Sequence, residues 1–146
     1  MRYKIIFLII ILGLVLTECT PPVKSSIPLI IDADTANEID DIFAIARAVK
    51  APELELLGLT AAQFHTSPLA SANTAQESQT LNEQIMRLLK AEEIPLLLGS
   101  KGPLEQVVAK SSPASNFIVQ QAKNYSPEHP LHLVILGSCT LSLIHI

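Results

Sequence analysis

The chain has 146 residues, 49% of them hydrophobic, with a formal net charge of −4, a length that fits one ordinary domain rather than two. The acidic balance excludes a nucleic-acid binder, which needs a basic face for phosphates, and aromatics at 4% with no Trp exclude a base-stacking platform. Of the 14 acidic residues, the four aspartates (Asp32, Asp34, Asp40 and Asp41) all fall in one ten-residue window, a distribution that solvated surface charge does not produce.

Arg2 and Lys4 precede an apolar run of twelve residues, Ile5 to Leu16. A membrane span needs roughly 20 apolar residues, so a short run behind a positive flank reads as a secretory signal over residues 1–18. Leu16-Thr17-Glu18-Cys19 resembles a bacterial lipobox, whose Cys becomes the lipidated first residue; Glu18 departs from the Gly, Ala or Ser usual there. The expectation is an exported protein, periplasmic or at the cell surface, held to the membrane by lipid on Cys19. Plain secretion or an uncleaved anchor is the alternative, with Cys19 idle. Removal of Arg2, Lys4 and Glu18 leaves 8 basic and 13 acidic residues, net −5. Cys19 and Cys139 do not suggest a disulfide framework; Cys139, in an apolar stretch, is expected to be buried.

A polar, Pro-containing linker (residues 19–26) leads into four short apolar runs: Ile27 to Ile31, Leu54 to Thr60, Ile94 to Leu98 and Leu131 to Leu136. Each is bounded by Pro, Gly or charge, as buried strands are. Between them, Ile39, Ile42, Phe43, Ala46 and Val49 share one helical face, as do Leu81, Ile85, Leu88 and Leu89, and Phe117, Ile118 and Ala122 mark a weaker third helix. The alternation predicts an α/β fold, a parallel sheet with flanking helices and Rossmann-like topology. Continuous rather than alternating apolar strands fit a sheet covered on both faces.

Ligands of such sheets bind beyond the carboxyl ends of the strands, which directs attention to residues 32–41, 61–67, 99–103 and 137–140. The first of these turns contains no Gly, so it holds no dinucleotide or phosphate-binding loop. Asp32 and Asp34, two apart on extended chain, point the same way, and Asp40 and Asp41 open the next helix, where its dipole favours negative charge. Converging carboxylates raise one another's pKa unless a cation is present, and calcium takes 6–8 oxygen ligands, carboxylates and backbone carbonyls among them. Taken singly, Asp40 also suits a helix cap, Asp41 a dipole partner and Asp32 a turn former.

The window Asp32-Ala33-Asp34-Thr35-Ala36-Asn37-Glu38-Ile39-Asp40-Asp41, followed by Phe43-Ala44-Ile45-Ala46, resembles the opening motif of the inosine–uridine-preferring nucleoside hydrolases. Two extra residues separate the aspartate pairs, as in a divergent bacterial subgroup. The similarity continues through Leu56 to Thr60, Pro95 to Gly99 and Leu133 to Thr140, so the family-like domain spans residues 27–140. The resemblance implies hydrolysis of the N-glycosidic bond of a nucleoside, with Ca2+ as cofactor and a homo-oligomer left open. By position, Asp34 would ligate calcium and deprotonate the attacking water, and Asp41 would be a bidentate calcium ligand. Asp40 would accept hydrogen bonds from ribose hydroxyls, and Asp32 would support the site. The backbone carbonyl of Leu136 would be a further metal ligand. His65 stands where the family often has a sugar-contacting Asn, and a plain loop histidine is the alternative.

The family's remaining acidic ligand, and the histidine that assists the leaving base, are expected beyond residue 146. Residues 141–146 resemble a translated sequencing adapter rather than the Asn and helix of the family, so the chain as given is expected to be a truncated, inactive and poorly stable part of the domain. Two rivals stand beside this reading. Asp32-Ala33-Asp34 after an apolar strand suits a phosphatase of the haloacid dehalogenase type, although Ala36 occupies the position that needs Thr or Val. A lipoprotein that binds nucleosides or sugars without turnover is the other.

Overall fold

The computed structural model describes residues 26–103 and 111–140; the expected signal, Cys19 and the tail 141–146 lie outside them. Strands β1 (Ile27–Ala33), β2 (Leu54–Ala61), β3 (Leu96–Leu98) and β4 (His132–Ile135) alternate with helices α1 (Asp40–Lys50), α2 (Thr74–Leu89) and α3 (Pro113–Ala122). The strands form one parallel sheet in the order β3-β2-β1-β4. The α/β architecture expected from the apolar runs is therefore present, with differences at the element ends. β1 continues two residues past Ile31 because Asp32 and Ala33 still pair with Thr60 and Ala61. β3 starts later than expected because the Ile94 N–H turns back to the Ala91 carbonyl. α2 begins well before Leu81, since its first turns bury Thr74, Ser78 and Asn82, a polar stripe invisible to an apolar periodicity.

Successive strand residues face opposite sides of the sheet, and helices cover both. On one side Leu29, Ile31 and Ala33 of β1 and Leu56 and Leu59 of β2 pack against Ile45 and Ala48 of α1 and Ile85 and Met86 of α2. On the other, Ile30 meets Ala114 and Ile118 of α3, with Leu57, Leu97, Phe117 and Leu133 around them. Full burial of one such side chain is worth about 1.5–3 kcal/mol, so these two layers supply the main stabilisation. A bulge refines the fit. Leu29 pairs with Leu56 but Ile30 pairs with Gly58, which leaves Leu57 as the extra residue that a bulge inserts. A Cβ on Gly58 would lie 2.5 Å from Phe117 Cε1, so the missing side chain lets the α3 ring rest on the sheet.

The strand order reverses at β1: β2 and β3 step out on one side, and β4 returns to the other. Adjacent crossovers that leave in opposite directions open a crevice at the carboxyl ends of the strands they leave, and ligands of open α/β sheets bind in such crevices. Here the crevice lies between the ends of β1 and β4. No helix among the described residues is long and apolar enough to cross a membrane.

Candidate functional site

The aspartate window leaves β1 and enters α1 at this switch point, and its four carboxylates meet different surroundings. Asp32 is still in the sheet. It is fully buried (0% exposed), and its Oδ1 accepts a 2.7 Å hydrogen bond from Thr60 Oγ1 on β2. Burial pushes its carboxyl up to about 7 against the lowering effect of Thr60, and the nearby charge of Asp34 adds to the rise. Asp32 is thus a strand residue rather than a turn former. Its burial is consistent with the supporting role the family resemblance implies, and leaves it poorly placed as a nucleophile, which needs an oxygen open to substrate.

Asp34 lies one residue past β1. Its carbonyl accepts the Asn37 N–H at 2.7 Å, and its Oδ2 accepts from Asn37 Nδ2 at 3.2 Å. Burial raises its pKa, while hydrogen bonds from its own backbone, from Asn37 and from Asp41 work against the rise. Asp41, in the first turn of α1, is buried with Oδ2 lacking any partner. Its carboxyl is pushed up to about 6, first by burial and then by the charges of Asp34 and Asp40. Asp34 and Asp41 lie close enough that each shifts the other's ionisation, which raises the Asp41 carboxyl further. Asp40 is exposed at the rim. The residue before α1 is Ile39, and no side chain caps the helix there, so Asp40 does not act as a cap.

β4 closes the other wall. The Leu136 N–H donates to the Asp32 carbonyl at 2.8 Å, which places the backbone of Leu136 at the ends of both strands. A Cβ on the next residue, Gly137, would lie 2.7 Å from both Cγ and Oδ1 of Asp34. The Asp34 carboxylate therefore occupies the space a side chain would take. Substitution Gly137→Ala is expected to displace Asp34, weakening cation binding by ~10-fold or more at a stability cost of about 1–3 kcal/mol for overpacking; calcium titration alongside thermal melting separates the two effects.

The loops beside the site are bonded across it. Gln63 is buried, with Nε2 donating to Ser138 Oγ at 3.1 Å and to Thr140 Oγ1 at 3.2 Å, which joins the end of β2 to the end of β4. This contradicts the expected burial of Cys139: it is exposed, because β4 has ended at Ile135 and Thr140 is the residue turned inward to Gln63. His65 is exposed too, and its N–H is bonded to Gln63 Oε1 at 2.6 Å. It lines a cleft of about 690 Å3 with Leu98, Ser100, Lys101, Ser112 and Pro113, and none of the aspartates lines that cleft. The structure therefore joins Asp34, Asp41 and the Leu136–Gly137 backbone, with Asp40 at the rim, and sets His65 apart.

Two neighbouring carboxylates, Asp41 buried and Asp34 half-buried, repel when both are ionised unless a cation offsets the charge, and the unpartnered Asp41 Oδ2 is a free oxygen ligand. The donor set is all oxygen, which suits a hard cation such as calcium. No group of three or more His, Cys, Asp or Glu side chains with metal-holding geometry stands among the described residues. A cation here would take carboxylate oxygens from Asp34 and Asp41 and complete its shell with backbone carbonyl and water. Compared with known proteins, the chain matches no family model and no curated protein.

Proposed function

We propose that this protein belongs with the nucleoside hydrolases in chemistry: an exported, lipid-anchored, calcium-dependent enzyme that hydrolyses the N-glycosidic bond of ribonucleosides. The observation that carries the reading is the Asp34–Asp41 pair, forced into contact at the β1/β4 switch point with one buried oxygen lacking a partner. Export through residues 1–18 and anchoring at Cys19 belong to the same reading and rest on the sequence pattern.

Asp34, Asp41 and the Leu136 carbonyl would hold the ion, which when bound makes a water easier to deprotonate and screens the paired carboxylates. Asp34 accepts the proton of the attacking water. Its half-buried position (compare Asp32, fully enclosed) leaves it open to the crevice, as a base that must reach solvent requires. Asp40, exposed beside the pair, accepts hydrogen bonds from ribose hydroxyls and so orients the sugar. The negative charge of the cluster stabilises the oxocarbenium character that develops as the glycosidic bond breaks. Asp32, locked to Thr60, keeps the end of β1 in register.

The experiment is base release from inosine and uridine by the product of the native reading frame, before and after chelation. Turnover lost on chelation and restored by calcium is the expected result. Nucleoside binding without turnover would replace the enzyme by a binding protein.

A further inference from the structure

Asp34 stands where the sheet pairing has stopped, so no strand ladder orients it. We propose that Asn37, held in turn by Ser67, is the positioning residue that fixes the Asp34 carboxylate for cation binding. This rests on the cation reading above.

The turn from Asp34 to Asn37 is tied down at both flanks. Thr35 Oγ1 donates to Asn82 Oδ1 of α2 at 2.7 Å, and the Ala36 N–H reaches Ser78 Oγ of α2 at 3.5 Å. Thr35, Ser78 and Asn82 are all buried, so the backbone of the turn is anchored against α2. On the other flank Ser67 Oγ, in the loop between β2 and α2, donates to Asn37 Oδ1 at 2.7 Å. Asn37 then donates through Nδ2 to Asp34 Oδ2. One side chain thus accepts from Ser67 and donates to Asp34, and a primary amide provides both an acceptor and donors on one short stem. Aspartate at position 37 would accept from Ser67 but set a further negative charge against Asp34. Alanine would do neither. With Oδ2 taken by Asn37, the Oδ1 edge faces Gly137 at the end of β4, which directs the carboxylate across the crevice. Partners of metal ligands commonly change affinity by 10–100-fold when removed.

The test is calorimetric calcium titration of the full chain and of Asn37→Ala, Asn37→Asp, Ser67→Ala and Ser67→Thr, with metal-free melting measured on each. We expect Asn37→Ala to bind calcium ~10–100-fold more weakly, Asn37→Asp to be no better, and Ser67→Ala to weaken binding while Ser67→Thr retains it. Metal-free melting temperatures should stay within a few degrees, since the lost bonds are only part-buried and the turn backbone stays anchored to α2 through Thr35 and Ala36. Should the Asn37 variants fail to fold, the Ser67→Ala and Ser67→Thr pair decides the matter. Calcium binding by the unmodified chain with unchanged affinity in Asn37→Ala and Ser67→Ala overturns the positioning role and leaves the cation site standing. No calcium binding by the unmodified chain overturns both.

Discussion

Asp34→Asn is expected to lower riboside hydrolysis by about three orders of magnitude in the product of the native reading frame. A positioned general base contributes roughly 10²–10⁴-fold, and Asp34 would lose its role as calcium ligand in the same substitution. The change is isosteric, so the close approach to Gly137 and the turn to Asn37 can persist and the fold should be spared. Steady-state kcat/KM for base release, with melting temperature as control, reads the effect. Activity within about tenfold of the unmodified protein would remove Asp34 from the chemistry, since a general base rarely contributes so little.

The second large effect belongs to Asp41→Asn, which should weaken calcium binding by about 100-fold or more by removing a charged, buried oxygen ligand. Its effect on the metal-free protein has the opposite sign. The Asp41 carboxyl rises from 3.8 to about 6 in the folded chain, so the folded state holds this proton more tightly than the unfolded state does. That contribution to stability is complete below the unfolded value and is lost as pH rises through about 6. Asp32, raised from 3.8 to about 7, acts in the same direction over a slightly higher range. Metal-free protein should therefore lose stability as pH rises from about 4 to 7, and Asp41→Asn should flatten part of that slope. Denaturant midpoints across the range measure it; a slope unchanged in Asp41→Asn would show that Asp41 is not a strained, buried acid.

What could be read from the chain before its fold was known follows from local pattern. Four short apolar runs between amphipathic segments predicted the parallel α/β sheet, because each strand and helix announces itself within about ten residues. The aspartate window was legible for the same reason: Asp32 to Asp41 is one strand end, one turn and one helix start. What escaped depends on register between distant segments. Thr60 meets Asp32 only because β2 pairs with β1 in that alignment. Gly137 accommodates Asp34 only because β4 lies against β1, a neighbour fixed by the crossover and not by any motif. The buried stripe of Thr74, Ser78 and Asn82 is not legible in the sequence, because polar residues bonded to distant partners inside a protein, here Phe64, Ala36 and Thr35, look like a solvated face. Cys139 departs from expectation for the converse reason: the apolar stretch around it continues past the point where β4 ends at Ile135.

The central claim is that Asp34 and Asp41 form a cation site whose carboxylates must lose their proton to bind. Its most direct measurement is calorimetric titration of the chain with calcium at about pH 7.5 and about pH 5, either side of the raised Asp41 value of about 6. Metal and proton compete for the same oxygens, so the prediction is one ion per chain, bound at least ~10-fold more tightly at the higher pH and lost in Asp41→Asn. No binding at the higher pH, or an affinity indifferent to pH and to Asp41, would contradict it.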